Sequence, residues 1–245
     1  MKFEEHLHFD TLYIIEGGFS MSKKRKLLFG ILGLCIVCMI AIGCLATPII
    51  IRGYDMYKAA VNDISIDEKI AEIQSDQNYL PLDQIPEEYL TSLVKSEDKR
   101  FYKHSGIDFL ATARAMKNNV KARAFKEGGS TITQQLAKNM FFSFEKKLER
   151  KVAEVFVVRE LEDKLTKEEI LELYCNVIYF GENCYGIKEA SNHYYGVEPN
   201  ELTTKQIDEL VYTIKSPNNY NPSANQVYAT YNCKSTIWYL QNSYN

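Results

Sequence analysis

Leu27 to Ile51 is a run of 25 residues without a charge. It exceeds the roughly 20 apolar residues that a helix needs to cross the hydrocarbon core of a bilayer. Backbone groups in lipid must be satisfied within the segment, so the run is predicted to be a helix. Lys23, Lys24, Arg25 and Lys26 stand immediately before it. The positive-inside rule then places the N-terminus in the cytoplasm and everything after Arg52 on the extracellular face.

A cleaved signal peptide would have a shorter apolar core and a small-residue processing site. Ala41-Ile42-Gly43-Cys44 faintly resembles a lipoprotein cleavage site, but apolar residues continue past Cys44, which favours an uncleaved single-pass anchor over 27–51 behind a basic flank at 21–26. Residues 1–20 mix acidic and aromatic side chains and precede Met21. Glu16-Gly17-Gly18 could be encoded by a purine-rich stretch like a ribosome-binding site, so Met21 is read as the true start and 1–20 as a translated upstream extension. Sequencing of the native N-terminus checks this: a protein beginning at Met1 would refute it.

The rest is globular in composition, with 46% hydrophobic and 25% charged residues over the chain. A net charge of −3 gives no sign of a nucleic-acid partner. Of the six cysteines, Cys35, Cys38 and Cys44 fall in the apolar run and read as small hydrophobes. Cys175, Cys184 and Cys233 would lie where disulfides are permitted, and Cys175 and Cys184 are near enough in sequence to pair. No Cys/His spacing reads as a zinc site.

Residues 52–79 read as a polar, helix-favouring connector. Pro86 then suits the first turn of a helix, along which Leu90, Leu93, Val94, Glu97 and Phe101 recur at helical spacing. Glu97 thus shares a stripe with apolar residues. A carboxylate there is paired, lies at a cleft, or has its pKa raised by desolvation. Asp108 is predicted to cap a helix that buries Phe109, Ala113, Met116 and Val120. In Gly128-Gly129-Ser130-Thr131-Ile132-Thr133-Gln134-Gln135-Leu136-Ala137-Lys138-Asn139, the glycines allow close approach of a ligand. Thr131-x-x-Gln134 fits a capping box, and a helix N-terminus with a lysine nearby is a ready anion site. Met140-Phe141-Phe142-Ser143-Phe144 is either core or a membrane-facing patch. From a helix opening near Glu145, Arg150, Glu154, Val158, Leu161 and Leu165 share one line, so a second acid lies among apolar residues one turn after an arginine. Capping boxes at Thr166-x-x-Glu169 and Thr203-x-x-Gln206 open two more helices. Phe180-Gly181 and Tyr185-Gly186-Ile187 mark turns, and Gly196 suits a C-terminal cap. About seven helices and no convincing strands are predicted after the connector, in one mainly α domain over 80–222 with a weakly patterned tail at 223–245.

Taken together, these motifs resemble those of the family 51 glycosyltransferases, the peptidoglycan polymerases found in penicillin-binding proteins and as monofunctional enzymes. Glu97-Asp98-Lys99-Arg100-Phe101-Tyr102-Lys103-His104-Ser105-Gly106 resembles the first signature and Gly129 through Asn139 the second. Arg150-Lys151-Val152-Ala153-Glu154 with Leu161-Glu162 resembles the third, and Lys167-x-x-Ile-Leu-Glu-x-Tyr-x-Asn176 the fourth. Ser216-Pro217 with Tyr220-x-Pro222 resembles the closing segment. The resemblance implies a lysozyme-like, bilobal transglycosylase fold with an apolar lobe at the membrane. It implies lipid II and the growing glycan strand as substrates, and transpeptidases and other cell-wall proteins as partners. By motif it assigns Glu97 as general base and Glu154 as the second catalytic glutamate, for positioning or for pyrophosphate and metal handling. Asp98, Phe101, His104, Ser130, Thr131, Gln134, Gln135, Lys138, Asn139, Lys146 and Arg150 would be substrate-binding. A divalent cation, Mg²⁺ or Mn²⁺, could assist on Glu97 or Glu154.

The sequence also departs from the pattern. Lys146 or Lys147 stands where the family often has arginine, Cys175 where leucine is usual, and Asp208, Glu209, Val211 and Tyr212 make the closing helix less small and apolar. No Ser-x-x-Lys module follows, so a monofunctional polymerase is expected. Two alternatives are a lysozyme-like or lytic enzyme using Glu97 and Glu154 as a glycosidase pair, and a catalytically silent partner of the cell-wall machinery.

Overall fold

The computed structural model describes residues 23–124, 128–142 and 147–224. The upstream extension, Lys146, Ser143-Phe144, Cys233 and the C-terminal tail beyond 224 lie outside the described residues.

The chain divides into two compact units, one ending at Ile49 and one beginning at Ile50. The first is the leading part of α1 (Lys23–Asp63), a helix long and apolar enough to cross a membrane. Its apolar side chains, including Leu27, Leu32 and Ile40, are exposed.

The second unit opens on the remainder of α1 and on α2 (Ile66–Gln74), which Ser65 and Glu68 start with a reciprocal capping box. This stretch was expected only to connect, yet it contributes to the core. Tyr57 is buried there and stacks on Phe156 with ring centroids 5.3 Å apart. A Cβ on Gly53 would stand 2.5 Å from that of Val152, so only glycine admits this approach.

Helices α3 (Glu87–Glu97), α4 (Phe109–Ala122), α5 (Ile132–Phe141), α6 (Leu148–Lys164) and α7 (Lys167–Val177) follow. Pro86 precedes α3, and Glu87 and Glu88 suit the positive end of its dipole. Thr131 with Gln134 and Thr166 with Glu169 form the anticipated boxes on α5 and α7. Helix α5 packs against both α6 and α7. Its Ile132 and Leu136 have no exposed surface, and burial of each is worth about 1.5–3 kcal/mol. Met140 is buried, and Phe141 and Phe142 pack half-buried against the core.

Next come α8 (Gly186–Tyr195), α9 (Thr204–Thr213) and the short α10 (Pro217–Tyr220). Gly196 ends α8 with a left-handed φ of 66°. Helix α9 packs on α3 through Ile207, Leu210 and Val211. Its unusual Tyr212 is 48% exposed and Glu209 accepts a hydrogen bond from Tyr195 at 2.8 Å, so neither disturbs the packing.

Two expectations are corrected. The mainly α fold includes a small antiparallel hairpin, β1 (Tyr179–Gly181) and β2 (Cys184–Tyr185). Glu182 and Asn183 make its turn with φ of 50° and 64°, both positive as a tight hairpin turn requires. Second, the face of α4 read as buried is exposed: Phe109, Met116 and Val120 keep 77%, 64% and 72% of their surface, and the buried residue is Ala115. Cys175 and Cys184, whose pairing the sequence left open, are both buried and free. Burial pushes the Cys184 thiol up to about 11 and that of Cys175 higher still.

Candidate active site

Glu97 is the last residue of α3, one turn beyond the fully buried Leu93. It therefore emerges half-buried at the edge of the core. Its Oε2 accepts a hydrogen bond from Gln135 Nε2 at 3.0 Å, and Gln135 Oε1 accepts one from the Tyr174 hydroxyl at 2.9 Å. Tyr174 has no exposed surface. A buried tyrosine on α7 thus fixes the amide on α5, which fixes the carboxylate on α3. Serine 96 donates to the other oxygen at 3.2 Å.

Asp98 serves another purpose. It is 6% exposed, and its Oδ2 accepts from the Ile132 N–H at 3.1 Å, at the N-terminus of α5. Both its oxygens lie 3.0 Å from His104 Nε2. A protein carboxylate therefore stands at this helix N-terminus. Thr131 is buried, caps α5 and donates to the Gly106 carbonyl, while Gln134 completes the box. Phe101 has no exposed surface. Of the residues read as substrate-binding, Asp98, Phe101 and Thr131 are buried here, and His104 and Gln134 are half-buried. Gly129 likewise approaches protein: an added Cβ would meet the Thr112 backbone of α4 at 2.9 Å.

On α6, Glu154 is completely buried and paired with Arg150, itself 8% exposed. Its second oxygen meets Lys151 Nζ at 2.7 Å. Lys151 was missed by the sequence reading; the signal was its position three residues before Glu154, beside Arg150. Lys138 of α5 completes the group. Desolvation, then the nearby Arg150, lower its pKa, while Glu97 works in the opposite sense. Desolvation also lowers Arg150. It pushes Lys151 down to about 8, with Arg150 and Lys138 adding to the effect. Lys138, Arg150 and Lys151 thus crowd together, with Arg150 depressing the charged form of both lysines and Lys138 that of Lys151. Such a cluster favours an incoming polyanion. Ser130 lies half-buried in the loop before α5, and Asn139 half-buried one turn after Gln135.

Both Glu154 oxygens already face cations. Asp98, His104 and Asp108 bring ligand atoms within 4.8 Å of one another. However, Asp98 is held by Ile132 and His104, and Asp108 by the Leu110 and Ala111 N–H groups and by Arg100.

A family model described as Transglycosylase matches residues 66–239. The chain belongs to that transglycosylase family. It is 36% identical over 204 residues to penicillin-binding protein 1A of Neisseria cinerea, covering 80% of this chain and 26% of that protein. It is 41% identical over 160 residues to penicillin-binding protein 1A/1B of Bacillus subtilis, covering 64% and 18%. It is 43% identical over 141 residues to penicillin-binding protein 1A of Escherichia coli, covering 58% and 17%. The chain spans about a quarter of the length of the first of these relatives.

Proposed function

We propose that the chain is a peptidoglycan glycosyltransferase that polymerises lipid II into β-1,4-linked glycan and releases undecaprenyl pyrophosphate. The observation that carries this reading is the pairing of one oriented carboxylate, Glu97, with the cation cluster of Lys138, Arg150 and Lys151. Glu97 takes the proton of the acceptor sugar's 4-hydroxyl as that oxygen bonds to the donor's anomeric carbon. The carbon's bond to pyrophosphate breaks, and the leaving group departs as an anion with the electron pair. Its charge is stabilised by the three cations, with Ser130 in the adjoining loop. Attack opposite the leaving group inverts the anomeric centre. Glu154 holds Arg150 and Lys151 in place, a positioning part. The donor set gives no reason to route a step through Mg²⁺ or Mn²⁺.

A glycosidase needs two carboxylates available to the scissile bond. Glu154 is buried under two cations, which disfavours the lytic alternative. The apolar helix of α1 would hold the domain beside a substrate whose polyprenyl tail stays in the bilayer, with the N-terminus cytoplasmic and the catalytic unit outside. Incubation with purified lipid II tests the proposal: long strands and intact mature glycan are expected. Cleavage of mature glycan without polymerisation would overturn it.

A further inference from the structure

Helix α6 carries the cation cluster on one face and packs against α1 with the other. Arg150, Lys151 and Glu154 stand together on the first face. Glu149, Val152, Phe156 and Glu160 follow at intervals of three, four and four, which puts them on one stripe of the helix, turned away from the cluster. Each meets α1 just after its apolar run. Arg52 lies 3.9 Å from Glu149, Gly53 lies against Val152, the Tyr57 ring stacks on Phe156, and the Tyr57 hydroxyl donates to Glu160. Tyr54 adds an edge contact to Phe156 at 5.2 Å. We infer that these turns of α1, through Gly53 and Tyr57, set the position of α6 and so hold Arg150 and Lys151 where the leaving pyrophosphate needs them. Gly53 and Tyr57 are then positioning residues, acting on the reaction through α6. In its kinetic consequences this inference rests on the polymerase reading above.

Gly53 is the tightest point of the contact. A Cβ there would stand 2.5 Å from Val152 Cβ, 2.6 Å from its Cγ1 and 2.8 Å from the Glu149 carbonyl oxygen. The carbonyl belongs to the α6 backbone and the Val152 Cβ is fixed by it, so no side-chain rotation relieves the overlap. One helix has to move. Arg150 and Lys151 are the two residues between Glu149 and Val152, so the part of α6 under pressure is the turn that bears two of the three cations. A close-packed interior transmits such a displacement, and a misplacement of about 1 Å at a reaction centre can cost about a hundredfold in rate. Gly30, Gly33 and Gly43, earlier in the same helix, have nothing within 4 Å of an added Cβ, so the requirement is particular to position 53. Tyr57 clamps the same two helices. Its side chain is buried, with the ring stack and the bond to Glu160 both directed at α6.

The test uses the full chain in detergent micelles. Gly53→Ala is compared with Gly43→Ala, the same exchange made in open space. Gly53→Ala is expected to lower kcat/KM for lipid II at least tenfold and to raise KM at least threefold, while Gly43→Ala stays within twofold of wild type in both. Loss of folded enzyme alone would lower kcat and leave KM unchanged. The second readout is the Lys151 side-chain signal in carbon-13 spectra of lysine-labelled chain at fixed neutral pH, identified by its absence from Lys151→Arg. It should move in Gly53→Ala and stay in place in Gly43→Ala. If Gly53→Ala does not fold, Tyr57→Phe, which keeps the ring stack and loses the bond to Glu160, should raise KM at least twofold and move the same signal. A wild-type KM with an unmoved Lys151 signal in the folded variant overturns the inference, whether or not kcat falls. A Lys151 signal that moves in Gly53→Ala but not in Gly43→Ala, in a chain unable to polymerise lipid II, would refute the polymerase reading and leave the coupling of α1 to α6 standing.

Discussion

Lys151 is expected to set the alkaline limit of activity. Its pKa is pushed down to about 8 by desolvation and by Arg150 and Lys138, so the sign is plain: the cation is present below pH 8 and is lost as pH rises through it. With a pKa of about 8, roughly nine-tenths of the lysine is charged at pH 7 and about one-tenth at pH 9. If the leaving pyrophosphate needs this charge, kcat/KM should fall roughly tenfold between those pH values. The limb belongs in kcat/KM because that quantity reports the free enzyme. A bound pyrophosphate would favour the charged form, so the limb in kcat should be displaced upwards. Lys151→Arg supplies a cation that does not titrate in this range, and should flatten the limb even if its absolute rate is lower. The assay is initial polymerisation of fluorescent lipid II from pH 6 to 9.5 at fixed ionic strength. Superimposable profiles for wild type and Lys151→Arg would refute the assignment.

Other outcomes follow from individual contacts. Tyr174→Phe removes the hydroxyl that holds Gln135 and is expected to lower kcat about tenfold with KM nearly unchanged, since orientation of the base is lost and binding is not; steady-state kinetics read this directly. Glu154→Gln leaves Arg150 buried beside a neutral partner and should destabilise the fold by about 3–5 kcal/mol, measured by urea denaturation. The Tyr89 hydroxyl is buried without a hydrogen-bond partner among the described residues, so Tyr89→Phe should leave stability unchanged or raise it by about 1 kcal/mol, seen as an equal or higher thermal midpoint.

Much of the frame was legible because it is local. The boxes at Thr131, Thr166 and Thr203, the cap at Asp108 and the turn at Gly196 are each set by a few neighbouring residues, and each stands where the spacing put it. Glu97 and Glu154 were both visible as acids on apolar stripes. What escaped depends on tertiary contacts. The apolar spacing of α4 reads as a core face, but spacing cannot tell a side chain facing protein from one facing outward. The hairpin turn uses Glu182-Asn183 rather than a glycine pair, so its positive φ angles left no clear signal. Nor can periodicity reveal that Asp98 occupies the N-terminus of α5 from 34 positions away, or that Gln135 and Tyr174 form a chain to Glu97. Nor does spacing show that Phe101 and Thr131, assigned by motif as ligand contacts, are buried.

The claim at the centre of this account is that Glu97 removes the acceptor proton. Glu97→Gln keeps the shape and can still meet Gln135 but cannot accept a proton at neutral pH. Lipid II polymerisation by this variant, with lipid II binding and thermal midpoint measured alongside, tests the claim most directly. A fall in rate of at least about a hundredfold, in the range typical of a lost general base, is expected with binding and stability retained. Polymerisation at the wild-type rate would contradict it.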